Sequence, residues 1–224
     1  MNIFFVGDPH GNFEPVIQAV EEHRPRAVVL LGDMEPACLL HDELAEIKEM
    51  TEINWIHGNH ECDSVANYDN VFNSNLRCQN LHGRVVKIGN IRVTGFGGIF
   101  KKQIWHPKSG IKYSSKQDFL ERMGKGNTWR GGLPLGQRDT IWPDDYKTLS
   151  KLHADILVTH EAPSSHHYGF DTINNLAKNL GVTKIYHGHQ HIDYSSSIGE
   201  GIRVYGVGIA GVTDLSGQII KPGQ

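Results

Sequence analysis

Five short polar clusters in this 224-residue chain combine residue types that can hold metal ions: Gly7-Asp8-Pro9-His10-Gly11-Asn12, Gly32-Asp33, Gly58-Asn59-His60-Glu61, His160-Glu161 and Gly188-His189-Gln190-His191. In extended chain, residues i and i+2 project to one side, so Asp8 with His10, and His189 with His191, can each present two donors together. With Asp33, Asn59 and His160 they make seven donors. Seven is too many for one tetrahedral ion with an open position and suits two ions sharing one carboxylate. Two divalent ions bring +4 and Asp8 and Asp33 return -2, leaving a positive centre suited to a hydroxide and a phosphate group. Imidazole and carboxylate donors without thiolate favour Mn or Fe, with Zn and Ni also compatible. Singly, each cluster also fits an ordinary turn, surface loop or satisfied histidine. Five in order, each directly after an apolar strand, do not.

The elements that must position these clusters follow from periodicity. Residues 2–6 and 27–31 read as buried strands around a helix over 13–22, whose Phe13, Val16, Ile17 and Val20 share a face. A helix over 42–50, carrying Leu44, Ile47 and Met50, and a strand over 53–56 repeat the pattern. Residues 84–88 and 91–96 read as a hairpin through Gly89-Asn90. Later come a helix over 146–152, a strand over 156–159, a helix over 173–180 and a strand over 184–186, then short strands at 194–197, 202–207 and 218–220. This alternation predicts one α/β domain over 1–224 with two sheets. In open α/β sheets the crevice beyond the carboxyl ends of the strands is where ligands bind, so all five clusters can converge.

Composition bounds the classes. With 38% hydrophobic and 21% charged residues and a mean hydropathy of -0.38, the chain reads as a soluble globular protein rather than a membrane or disordered one. The apolar start is too short for a signal peptide and no run approaches a membrane span, so a cytoplasmic location is expected. Cys38, Cys62 and Cys78 lack zinc-knuckle spacing and read as reduced structural thiols. Fourteen histidines are many for this length. The net charge of -3 conceals an asymmetry: residues 101–147 hold ten Lys and Arg against five Asp and Glu, or +5, leaving -8 elsewhere. That segment, with Trp105, Trp129, Trp142 and a short helix near 117–123, reads as an inserted basic lid or loop.

Through Asp8-x-His10, Gly32-Asp33, Gly58-Asn59-His60-Glu61, His160 and Gly188-His189-x-His191, over roughly residues 1–207, the sequence resembles the calcineurin-like metallophosphoesterases. The resemblance implies an α/β/β/α sandwich of two sheets flanked by helices. It assigns Asp8, His10 and His191 to a first metal, Asn59, His160 and His189 to a second, and Asp33 to both. It implies that a hydroxide between the metals attacks phosphorus while His60 binds the phosphate and protonates the leaving oxygen. The Ser/Thr protein phosphatases of this superfamily carry Gly-Asp-x-Val-Asp-Arg-Gly and Arg-Gly-Asn-His-Glu. Here the same stretches read Gly32-Asp33-Met34-Glu35-Pro36-Ala37 and His57-Gly58-Asn59-His60-Glu61. Both phosphate-clamping Arg, and the Asp that supports the catalytic His, are therefore missing, and the ending is more like the bacterial phosphodiesterase and small-phosphatase branches.

The resulting expectation is a binuclear-metal phosphoesterase acting on a monoester or diester. His57, at a missing Arg position, with Asn12, Lys101 and Lys102, are the candidate substrate contacts, and His166 and His167 candidates for the mouth. Tryptophans interleaved with Lys and Arg permit a nucleotide or single-stranded nucleic acid as substrate, hence a nuclease; the alternative is a solvated loop whose tryptophans pack onto the body. The rival class is a non-catalytic interaction module on the same fold, as in the retromer scaffold subunit. That scaffold has degraded metal motifs, whereas all seven donors and His60 are filled here.

Overall fold

The computed structural model describes residues 2–199 and 201–224, apart from the side chain of Lys125. Its first sheet centres on three parallel strands, β1 (Ile3–Val6), β2 (Ala27–Leu30) and β3 (Glu52–Trp55). It is completed beside β1 by antiparallel β12 (Val212–Asp214) and β13 (Ile219–Lys221), in the order β13-β12-β1-β2-β3. The second sheet runs β10-β11-β9-β8-β5-β4. Its strands are β4 (Val85–Ile88), β5 (Ile91–Phe96), β8 (Ile156–Thr159), β9 (Lys184–His187), β10 (Tyr194–Ile198) and β11 (Ile202–Gly206). A separate small ribbon pairs β6 (Trp105–His106) with β7 (Gly110–Ile111).

β1 is apolar at every position because both of its faces are buried, as sheets covered on two sides require. Phe4 and Val6 pack with α1 (Glu14–His23), while Ile3 and Phe5 face the second sheet. Between the sheets Phe5 stacks on Tyr186 at 3.6 Å between ring centroids. Burying a side chain of that size stabilises the fold by about 2–3 kcal/mol. The outer face of the second sheet is covered by α5 (Pro143–Leu149) and α6 (Asp171–Leu180), through Leu149, Ile173, Leu176 and Leu180. The molecule is thus the expected α/β/β/α sandwich. No helix among the described residues is long and apolar enough to cross a membrane.

Several elements differ from the sequence reading. The helix expected over 42–50 is only α2 (Leu40–Glu43), followed by tight turns such as Met50 N–H to Ile47 O at 2.9 Å. Leu44 and Ile47 are nevertheless fully buried, so the apolar spacing served burial without a regular helix. The helix expected over 146–152 begins earlier, with Pro143 in its first turn, where the missing N–H costs nothing. α3 (Val65–Phe72) was not anticipated; Ser64 caps it by accepting from Asn67 N–H at 3.0 Å.

The 101–147 segment is built onto the body. Trp105 and Trp142 lie in the core beneath α5, and the guanidinium groups of Arg130 and Arg138 lie against the Trp129 ring, at 4.2 and 4.7 Å from its centroid. Arg130 pairs with Asp69, and Arg138 donates to Tyr68 Oη at 2.8 Å, so both fasten it to α3. From α4 (Lys116–Arg122), Lys116 reaches Asp145 of α5 at 2.7 Å, where His82 also approaches at 3.4 Å.

Burial pushes the Asp145 carboxyl up, but His82 and Lys116 outweigh it and hold it at about 2 instead of the ordinary 3.8. A depressed folded-state value gives stability that is present above 3.8 and lost as pH falls towards about 2. Asp145→Asn is therefore expected to lower the unfolding free energy by about 1–2 kcal/mol at pH 5, with the difference from wild type closing near pH 2. Urea titrations at the two pH values measure it; an equal deficit at both would show that the pairing is not the cause.

Candidate metal centre

Register brings the five clusters to one edge. Val6, Leu30 and Trp55 are aligned at the ends of β1, β2 and β3, and Thr159 with His187 at the ends of β8 and β9. The chain turns sharply just beyond β1, β2 and β9. Asp8, His10, Asp33, His189 and His191 all have positive φ, between 24° and 65°. Left-handed backbone at non-glycine residues is costly, and five such residues in one place mark a site that the rest of the fold holds under constraint.

Two donor groups meet at Asp33. Its carboxylate lies with His10 and His191 in one group, and with His160 and His189 in the other, the donor atoms of each group falling within 4.8 Å of one another. Asp8 joins the first, with Oδ2 3.7 Å from His191 Nε2. Asn59 joins the second, its Oδ1 3.2 Å from His160 Nε2. The structure thus brings the seven expected residues together, six of them around the carboxylate of the seventh, Asp33.

The backbone leaves the donors free to bind. His160 Nδ1 donates to Leu31 O at 2.8 Å, so Nε2 is the nitrogen turned towards Asp33 Oδ2, at 3.2 Å, and the one that would bind an ion on losing its proton. Asp33 Oδ1 accepts from the N–H groups of Asn59 and His60 at 2.8 and 2.9 Å, which leaves Oδ2 for the centre. Asp8 Oδ2 accepts from His189 N–H at 2.6 Å, while its buried Oδ1 has no hydrogen-bond partner and lies 3.7 Å from His160 Nδ1. A Cβ on Gly58 would collide with Asp33 and His160, and one on Gly188 with Asp8. Glycine is required at both places for backbone to approach this closely.

Electrostatics show a site short of positive charge. Burial raises Asp8 to about 7, with Asp33 and Glu61 adding to the rise. Burial works against a proton on His160, yet Asp33 and Asp8 overcome it and raise that imidazole to about 10. An orphaned carboxylate oxygen, glycine-lined walls and carboxylates drawing protons fit divalent cations bound at these residues.

Three supporting carboxylates were not singled out from sequence. Glu61 is fully buried and accepts from the N–H groups of Asp33, Met34 and Gly58, at 3.3, 2.6 and 2.6 Å, tying the second cluster to the third. Glu35 accepts from His10 Nδ1 at 2.5 Å and Asp63 from His60 Nδ1 at 2.5 Å. Asp63 follows His60 by three residues, across a single turn. The i+3 spacing was the available signal. His60 Nε2 points inwards, 4.0 Å from Asp33 Oδ2.

The candidate substrate contacts are placed differently. His57 is 5% exposed beneath Phe72 and His82, and burial holds its imidazole well below the ordinary range, so it is neutral. Lys101 is paired with Asp139 at 2.6 Å and donates to Gly136 O at 2.8 Å. Asn12 closes a turn onto Pro9 O, and Lys102 is exposed. Among the described residues no hydrogen bond or ion pair joins any of the four to the seven donors or to His60. His166 rests against Tyr168 and Tyr194, and His167 against Tyr168, 66% exposed.

Comparison with known proteins agrees with this geometry. A family model described as calcineurin-like phosphoesterase matches residues 1–193. An uncharacterised protein of Haemophilus influenzae is 34% identical over 218 residues, covering 97% of this chain and 96% of that one. Among solved structures, TT1561 of Thermus thermophilus superposes with a TM-score of 0.61 at 14% identity, over 99% of this chain and 98% of that one. A dimetal phosphatase of Danio rerio gives 0.55 at 11% identity, over 94% and 88%. At such identities the likeness is one of fold.

Proposed function

Because the chain belongs to the calcineurin-like phosphoesterase family and is a metal-dependent phosphoesterase, we propose that it hydrolyses its phosphoester at a binuclear centre built on Asp33. The observation that carries this reading is the pair of donor groups sharing one carboxylate. Asp8, His10 and His191 would hold one ion, Asn59, His160 and His189 the other, with Asp33 between them. Mn or Fe is the favoured occupant, and Zn or Ni fits the same donors. When bound, such ions supply a water of lowered pKa and neutralise charge on the phosphoryl oxygens.

The chain's own residues supply the remainder. Asp33 and Asp63 overcome the effect of burial on His60 and raise its pKa, which favours the protonated imidazole. With Nδ1 held by Asp63, Nε2 is the nitrogen left to face the substrate and donate that proton to the departing oxygen. Neutral His57 lacks the charge of a phosphate clamp. With Trp105 and Trp142 in the core, base stacking would fall to Trp129 and the rings near Tyr168, so the support for a nuclease is reduced.

The test is to strip the protein with a chelator, reload it with Mn, Fe, Zn or Ni, count the ions, and assay p-nitrophenyl phosphate, its bis ester, cyclic nucleotides, a phosphopeptide and single-stranded DNA. Hydrolysis restored by two ions per chain is expected. No turnover of any substrate with both ions bound would leave the interaction-module reading instead.

A further inference from the structure

The groups that border the centre discriminate by substrate charge. Glu35 lies against His10, and Asp63 against His60. Both side chains reach solvent, 32% and 57% exposed, and together with His60 they bring donor atoms within 4.8 Å of one another. Beyond the two buried aspartates, the chain therefore sets two more carboxylates along the rim. Formally, Asp8, Asp33, Glu35 and Asp63 contribute -4, against +4 from two divalent ions and +1 from a protonated His60 that Asp63 already pairs.

No Lys or Arg is added on the chain's side, and the cation there, protonated His60, is paired with Asp63. Among the described residues no Lys or Arg bonds to any of the seven donors or to His60. Lys101 and Arg138, the cations acting on neighbouring Cys62, are both engaged. Lys101 is held by Asp139, and Arg138 by Tyr68 Oη and the carbonyls of Leu133 and Trp129. Ala37, where the protein phosphatases carry an Arg, is exposed, and the other such position is the neutral, buried His57.

We infer that this centre selects monoanionic phosphodiesters over dianionic phosphomonoesters. The inference rests on the phosphoesterase reading and names its substrate class. A monoester adds nearly one further negative charge at neutral pH, and that charge meets the Glu35 and Asp63 carboxylates with no guanidinium to offset it. A diester spreads a single charge over two non-bridging oxygens, which the ions alone can neutralise.

Binding and turnover test this separately. With the Mn-loaded protein, calorimetry is expected to show dimethyl phosphate binding at least about tenfold more tightly than inorganic phosphate, the size of one charge contact near a protein surface. Turnover of the bis(p-nitrophenyl) ester should exceed that of p-nitrophenyl phosphate by about tenfold or more in kcat/KM. Ala37→Arg, at an exposed position, should narrow both ratios by raising affinity for the dianion. Glu35→Gln should narrow them too, with ion content counted in parallel because Glu35 holds His10. Tighter binding of inorganic phosphate, or preference for the monoester, overturns the inference and leaves the phosphoesterase reading standing. Three ions per chain, the third on Glu35, His60 and Asp63, would also overturn it by cancelling the rim charge. If neither ester turns over with both ions bound, the phosphoesterase reading fails, and the inference with it.

Discussion

Asp33→Asn is expected to lower kcat/KM by about 10³ or more, the largest single loss in this protein, because it acts on both ion positions at once. Asn keeps the shape and an oxygen that can accept from Asn59 and His60 N–H, so the loop that carries them should stay in place. What disappears is the negative charge facing His160 Nε2 at 3.2 Å and common to both donor groups. Without it each remaining group keeps only neutral donors, apart from Asp8 in the first. The measurement is ion content by elemental analysis alongside turnover: two ions per chain in wild type and at most one in the variant. Two tightly held ions in Asp33→Asn would remove Asp33 from the centre of the scheme.

His60→Ala is expected to lower kcat by about 10², the usual size of a general-acid contribution, while leaving ion content nearly unchanged. The loss should depend on the leaving group. A p-nitrophenolate leaves readily without a proton, so its ester should suffer much less than an alkyl ester, whose alkoxide needs one. Asp63→Asn should give a smaller loss of the same kind, about tenfold, because its amide oxygen can still accept from Nδ1 but the negative charge that helps to hold the proton on His60 is gone. An equal loss on both esters would point to His60 as a phosphate-binding group alone. Wild-type turnover would end its role altogether.

A large part of this site is legible in the chain itself. Asp8, His10, Asp33, Asn59, His160, His189 and His191 stand directly after apolar strands, and strand period with glycine punctuation is local information. The strands that matter, β1, β2, β3, β8 and β9, fall within a residue or two of where alternation and apolar runs put them. The same local signals mislead where burial does not need regular structure: Leu44 and Ile47 carry a helical spacing through a run of tight turns. Short polar-flanked pieces such as β12 give almost no periodic signal, yet β12 closes the first sheet against β1.

The sequence by itself thus determined the fold class, the order of the clusters and which residues are candidate donors, because each depends on residues close together along the chain. Tertiary structure alone decided which donors share a carboxylate, and that Glu61 ties two clusters together. It also decided that Glu35 and Asp63 stand beside the centre, and that Trp105, Trp142 and Lys101 are taken up by the body. Most of these contacts join residues that sequence spacing cannot relate, since sheet register and the left-handed turns at the strand ends set their approach. Asp63, only three residues from His60, shows the same limit at short range: its spacing allowed the hydrogen bond, but only the turn at His60–Cys62 aimed it.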